Sequence, residues 1–192
     1  MQAVQSALPV RSAEAAVAGR AFGAMIFSVF GSVLLEVWNR RSDGGVAVSI
    51  GIALLGIALL ASAWLVYRQH APALAAEEQT PERKRANRIF HLVNGGQWLV
   101  IVVLGNVLAN IGLGAWVVPM AIVVIGLHFV PLAHVFHNLP HYVTAAALVV
   151  FALAYPFLAA GGPADPVGFL GIGLILWLSA CWALKSANRT PH

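Results

Sequence analysis

Six apolar segments divide this 192-residue chain, and most of its charged residues lie in the connections between them. A helix needs about 20 apolar residues to cross the hydrocarbon core of a bilayer. Only 9% of the residues are charged, against roughly 25% in soluble domains, so a soluble fold would lack a polar surface. The sequence therefore predicts an all-α, polytopic integral membrane protein with a bundle of six transmembrane helices. The predicted spans are residues 21–38, 46–67, 89–111, 115–135, 141–160 and 166–184.

Lysine and arginine residues predict how the chain is oriented, because cytoplasmic segments of membrane proteins are enriched in them. If the N-terminus is cytoplasmic, the outer segments carry only Arg40 and Arg41, which leaves nine of the 11 basic residues inside. This pattern predicts an N-in/C-in protein of the cell membrane, which we expect to be a bacterial inner membrane. The predicted organisation is a cytoplasmic N-terminal segment at 1–19, a six-helix transmembrane domain at 20–186 that includes a cytoplasmic loop at 68–88, and a cytoplasmic tail at 187–192.

The basic residues and the single cysteine exclude several kinds of partner and site. The net charge is +4, but no basic run is interleaved with stacking aromatic residues, so the pattern argues against nucleic acid as a partner. The lipid bilayer is the expected partner instead. The single cysteine, Cys181, lies in an apolar segment and allows neither an internal disulfide nor a zinc site of the CxxC kind.

Histidines are concentrated in one part of the predicted membrane domain. His128, His134, His137 and His141 lie close together in the sequence, and His91 begins the third span. The predicted topology places all five in the cytoplasmic half, with His128 about 9 Å deeper than His134 at the helical rise. Ionisable residues in membrane segments are costly and indicate a functional site by default.

The third and fourth spans carry the other features of a candidate pocket. In a helical projection of span three, four polar residues and two glycines share an arc of about 160°, which should face the bundle interior, while Gln97 falls outside it. Pro131 lacks an N–H and should kink span four beside His128. The arc has two interpretations: interhelical hydrogen bonding with close glycine packing, or a cytoplasm-facing pocket. The arc residues are His91, Asn94, Gly95, Gly105, Asn106 and Asn110; the predicted pocket consists of His91, Asn94, Asn106, His128, Pro131 and His134.

Three functions agree with these residues. The leading hypothesis is a small transporter or solute-binding protein that uses the pocket and needs no cofactor. The second is a membrane-embedded enzyme that binds a transition metal through His134, His137 and His141, or a haem. No HExxH motif occurs, and spans three to five contain no carboxylate to orient ligating imidazoles. The third is an accessory or structural membrane protein whose histidines face water and lipid headgroups.

Span one carries two further features. Glu36 precedes Arg40 by four residues, which indicates either an ion pair along the helix or a proton or cation site near the outer face. Ala24, Ser28 and Ser32 form a stripe of small residues at four-residue spacing. Such a stripe lets a second helix approach closely, either within the chain or in a homo-oligomer.

Overall fold

The computed structural model describes residues 2–77, 80–136 and 138–187, with side chains from Ala13 onward except that of Glu82. The described part of the chain contains six α-helices. These are α1 (Gln2–Arg41), α2 (Val46–Glu77), α3 (Pro81–Asn110), α4 (Val117–Val135), α5 (Leu139–Leu158) and α6 (Val167–Ala187). Short 3₁₀ turns at Gly114–Trp116 and Gly162–Ala164 precede α4 and α6.

All six helices are long and apolar enough to span a membrane. Each candidate span has 20 residues or more when the 3₁₀ turn at Gly114–Trp116 is counted with α4. The structure confirms the predicted all-helical architecture and the six helices long and apolar enough to span a membrane. The fold is therefore compatible with a multi-pass membrane protein.

The polar segment predicted as a loop at 68–88 is largely helical. Helix α2 continues to Glu77, and α3 begins at Pro81 after Thr80, whose hydroxyl accepts a hydrogen bond from the Arg83 backbone N–H at 3.3 Å. Alanine, glutamate, lysine and arginine favour helix wherever they lie, and Thr80 with Pro81 makes an effective helix start. Polarity alone did not reveal that these residues extend the helices.

The helices pack in the order α2, α1, α6, α5, α4, α3, so α1 lies between α2 and α6 while α3 packs mainly on α4. Most of the core lies among α1, α4, α5 and α6, where Ala24, Phe27, Leu148 and Ala180 are buried. In contrast, no residue in the most apolar stretch of α3 is buried. The third span therefore lies at the edge of the bundle.

Glycines bring α1 and α6 into close contact. A Cβ at Gly173 would lie 3.1 Å from the Gly31 carbonyl oxygen, and a Cβ at Gly31 would lie 3.1 Å from that of Gly173. The Trp177 indole N–H donates to the Ser28 carbonyl and the Ser32 hydroxyl, each at 3.3 Å. Small residues at a helix crossing allow such backbone proximity.

The predicted stripe of small residues is covered within the chain. Ala24 and Ser28 have no exposed surface, and the Ser28 hydroxyl donates to the Ala24 carbonyl at 2.7 Å. Ala24 and Ser28 thus pack against other helices of the same chain, and the homo-oligomer stays a prediction.

Asp165 organises the turn before α6. Its carboxylate accepts the backbone N–H groups of Val167 at 2.9 Å and Gly161 at 2.8 Å. These two hydrogen bonds hold the pKa of the Asp165 carboxyl below its ordinary value.

Candidate functional site

Two of the predicted histidines meet around one phenylalanine. The His128 ring lies 4.3 Å from the Phe129 ring centroid, and the His141 ring lies 5.6 Å from it on the other helix. Phe27 of α1 completes the cluster, with ring centroids 5.4 Å from Phe129 and 6.0 Å from His141. The fold thus brings the deep histidine of α4 and the first histidine of α5 into one aromatic cluster.

His128 is partly satisfied by its own helix. Its Nδ1 lies 2.7 Å from the Ile125 carbonyl oxygen, and because that oxygen can only accept, Nδ1 must carry the proton. In the neutral ring this leaves Nε2 as the acceptor. Pro131 is half-buried inside α4, which continues to Val135.

Only part of the polar arc of α3 faces the bundle. His91 and Asn106 are exposed, and the Asn106 amide donates to the Val102 carbonyl of the same helix at 2.8 Å. Asn94 is half-buried, and Gln97, which the arc excludes, has a buried Oε1 without a hydrogen-bond partner. Helix α3 contacts the bundle mainly through α4, and of the arc residues Gly105 lies against it, since a Cβ there would be 3.6 Å from the Val117 side chain.

The predicted metal ligands are only partly described. His137 lies outside the described residues, His134 is exposed, and His141 is half-buried. Among the residues that the structure does describe, no group of three His, Cys, Asp or Glu side chains is placed to hold a metal ion. The set of His134, His137 and His141 therefore stays a prediction.

A small cavity lies where α5 begins and α6 ends, against the first half of α1. Its volume is about 20 Å³, which is room for one or two water-sized groups. Its walls are mostly apolar, with a few polar side chains from three helices and from the residue before α5. We call it the Arg20 pocket; it is lined by Gly19, Arg20, Gly23, Phe27, Asn138, Pro140, His141, Thr144, Ser179 and Ala183.

Hydroxyl groups join α5 to α6 at the pocket wall. Thr144 and Ser179 lie 2.8 Å apart between their hydroxyl oxygens, and the Ser179 hydroxyl also donates to the Ile175 carbonyl at 2.8 Å. The Thr144 oxygen lies 3.1 Å from the Pro140 carbonyl. Both hydroxyl protons therefore have acceptors within the protein.

Arg20 is the unusual member of the pocket. It is half-buried, its Nε is fully buried without a hydrogen-bond partner, and it forms no ion pair with any described residue. Gly19 and Gly23 flank it, and a Cβ at either glycine would meet no atom within 4 Å. The glycines thus leave space on both sides of a partly desolvated guanidinium group.

Sequence reasoning identified one residue of this pocket, His141, and missed its principal charge. In the sequence, Arg20 is one of the nine basic residues on the predicted cytoplasmic side, and Thr144 and Ser179 belong to no motif. They meet because α1, α5 and α6 pack together, which no local pattern reveals. The available signal was an arginine at the start of an apolar helix between two glycines.

Glu36 lies in a polar network at the opposite end of the bundle. Its carboxylate pairs with the Arg40 Nε at 2.8 Å and accepts the Ser49 hydroxyl at 3.1 Å, while the Asn39 amide donates to Ser49 at 2.9 Å. These contacts fasten the turn between α1 and α2. The structure shows the ion pair with Arg40, and the proton or cation site at Glu36 stays a prediction.

The described part of the chain has six helices long and apolar enough to cross a membrane, which is compatible with a multi-pass membrane protein. No protein-family model, curated protein or solved structure matches the chain.

Proposed function

We propose that this chain is a multi-pass membrane protein, N-in and C-in, that binds a small solute in the Arg20 pocket from the cytoplasmic side. The six apolar helices support insertion into a bilayer. The distribution of lysine and arginine supports the orientation, in which the beginning of α5 and the end of α6 lie at the inner face of a bacterial cell membrane.

One observation carries the proposal: Arg20 of α1, His141 and Thr144 of α5 and Ser179 of α6 line one cavity. Polar side chains in membrane helices are costly unless they face protein or water. Thr144 and Ser179 are satisfied within the protein, whereas the pocket gives Arg20 and His141 access to water or a polar solute. The proposed site differs from the predicted pocket. It contains His141, which the sequence predicts as a metal ligand, and residues of α1 and α6 in place of those of α3 and α4.

A transporter would use the same pocket as its inner binding site. Because the cavity holds only one or two water-sized groups, a larger solute would leave part of itself outside or require the helices to separate. Solute binding is the function that the observed geometry supports best, and transport would add movement of α1 against α5 and α6.

Filling the pocket tests the proposal. Gly23→Leu should place an apolar side chain in the cavity without a clash at its Cβ. We expect small polar solutes to raise the thermal unfolding midpoint of the wild-type protein in mild detergent, and Gly23→Leu to abolish that rise. The solute panel would include acetate, acetamide, glycine, urea and ammonium.

Gly95→Leu is the matched control, because Gly95 lies on exposed α3 and its Cβ also meets no atom within 4 Å. It should respond to solutes as the wild type does. The proposal fails if no solute in the panel stabilises the wild type, or if each effective solute stabilises Gly23→Leu equally.

A further inference from the structure

We infer that the Arg20 pocket is an anion site that takes the carboxylate group of a small organic acid. The inference rests on the proposed function, since it names the chemical class of the solute for the same pocket.

Charge is the first argument. Arg20 stays protonated in proteins, and the pocket lining contains no aspartate or glutamate. No described residue forms an ion pair with it. A partly buried cation without a counter-charge is unfavourable in a medium of low dielectric constant, so an anionic occupant would supply what the chain does not.

Hydrogen-bond donors provide the second argument. The Asn138 amide makes no capping hydrogen bond to α5 although it precedes that helix, and the described residues make no hydrogen bond to the His141 ring. The protons of Thr144 and Ser179 are already directed at protein acceptors. The groups left to bind a solute are therefore Arg20, which can only donate, and Asn138 and His141, which can each donate as well as accept. All three can donate to a ligand that is only an acceptor.

The shape of the cavity selects among anions. About 20 Å³ accommodates one or two water-sized groups, which suits the two oxygens of a carboxylate better than a phosphate with four. A guanidinium fork binds a carboxylate through two parallel hydrogen bonds. Phe27, Gly23 and Ala183 provide apolar wall for the carbon next to the carboxylate.

Acetate and acetamide provide the direct test, because they share a shape and differ in charge. Binding would be measured by titration calorimetry on the full-length protein in detergent at constant ionic strength, with sulfate as the balancing anion. We expect acetate to bind the wild type at least ~10-fold more tightly than acetamide, since hydrogen bonds to charged groups are about twice as strong as neutral ones. Chloride should not displace acetate at equal concentration.

Arg20→Gln should lower acetate affinity at least ~10-fold. Its matched control is Arg88→Gln, which removes an exposed arginine from the same end of the bundle, outside the pocket, and should leave acetate affinity unchanged. If Arg20→Gln does not fold, the acetate–acetamide ratio on the wild type decides the question alone.

The results separate this inference from the function on which it rests. Equal binding of acetate and acetamide, or displacement of acetate by chloride, overturns the carboxylate assignment; if Gly23→Leu still abolishes binding, the solute pocket stands. If every solute binds Gly23→Leu as tightly as it binds the wild type, both the carboxylate site and the solute pocket are overturned.

A carboxylate could come from water or from a fatty acid in the bilayer. Displacement of acetate by oleate, but not by oleyl alcohol, in phosphatidylcholine nanodiscs would identify the membrane source, and its failure the aqueous source.

Discussion

At the crossing of α1 and α6, close packing should reverse the sign of the stability change that a glycine-to-alanine substitution has in an open helix. An alanine at position 173 would place its Cβ 2.7 Å from the Leu35 Cγ and 3.1 Å from the Gly31 carbonyl oxygen. Overpacking a tight contact costs about 1–3 kcal/mol, and we expect the upper part of that range, about 2–3, because a backbone oxygen cannot rotate away. Alanine recovers about 1 kcal/mol of helix propensity relative to glycine. Gly173→Ala should therefore lower the free energy of unfolding by about 1–2 kcal/mol.

The same substitution on α3 should have the opposite effect. A Cβ at Gly95 meets no atom within 4 Å, so Gly95→Ala should gain about 0.5–1 kcal/mol. The assay is equilibrium unfolding in mixed micelles of a mild detergent and sodium dodecyl sulfate, followed by far-ultraviolet circular dichroism. The packing of α1 against α6 is refuted if Gly173→Ala is as stable as Gly95→Ala.

Three other substitutions test separate parts of the structure. Leu148→Ala should cost about 2–5 kcal/mol in the same unfolding assay because Leu148 is fully buried, whereas Leu158→Ala should cost much less because that side chain is 82% exposed; equal costs would contradict the described core. Trp177→Phe should cost about 0.6 kcal/mol by losing its two hydrogen bonds to α1, and an unchanged unfolding midpoint would argue against those bonds. Since the folded-state pKa of Asp165 is lowered, its carboxylate stabilises the fold above its ordinary pKa of 3.8, and the contribution is lost as the pH falls through the lower folded value. Asp165→Asn should therefore flatten the acid side of a stability–pH profile, and a profile identical to that of the wild type would contradict the proposed turn contacts.

Segment length and composition predicted the helices because a bilayer demands about 20 apolar residues per span. The same reasoning missed the helical segments 68–77 and 81–88, because it read polarity as loop when alanine, glutamate and arginine also favour helix. An ion pair along one helix is equally predictable from sequence. The four-residue spacing of Glu36 and Arg40 indicates such a pair as one of two interpretations, and the structure contains it.

The candidate site was less predictable because it depends on which helices are neighbours. The arc on α3 has the composition of an interior face, yet α3 lies at the edge of the bundle and its His91 is exposed. Arg20 and Ser179 are far apart in the sequence and meet only because α1 packs on α6. Helical periodicity gives the direction of a side chain around its own axis, but it contains no information on what that direction faces.

Sided cysteine labelling tests most directly whether the Arg20 pocket opens to the cytoplasm. In a Cys181→Ser background, Gly23→Cys would place a thiol in the pocket and Gly114→Cys a thiol in the connection between α3 and α4; the Cβ of each meets no atom within 4 Å. With a membrane-impermeant maleimide, we predict that Gly23→Cys is labelled in inside-out vesicles and not in intact cells stripped of the outer membrane, and that Gly114→Cys shows the reverse. Labelling of Gly23→Cys from the outside, or only after detergent disrupts the membrane, would contradict a cytoplasm-facing pocket.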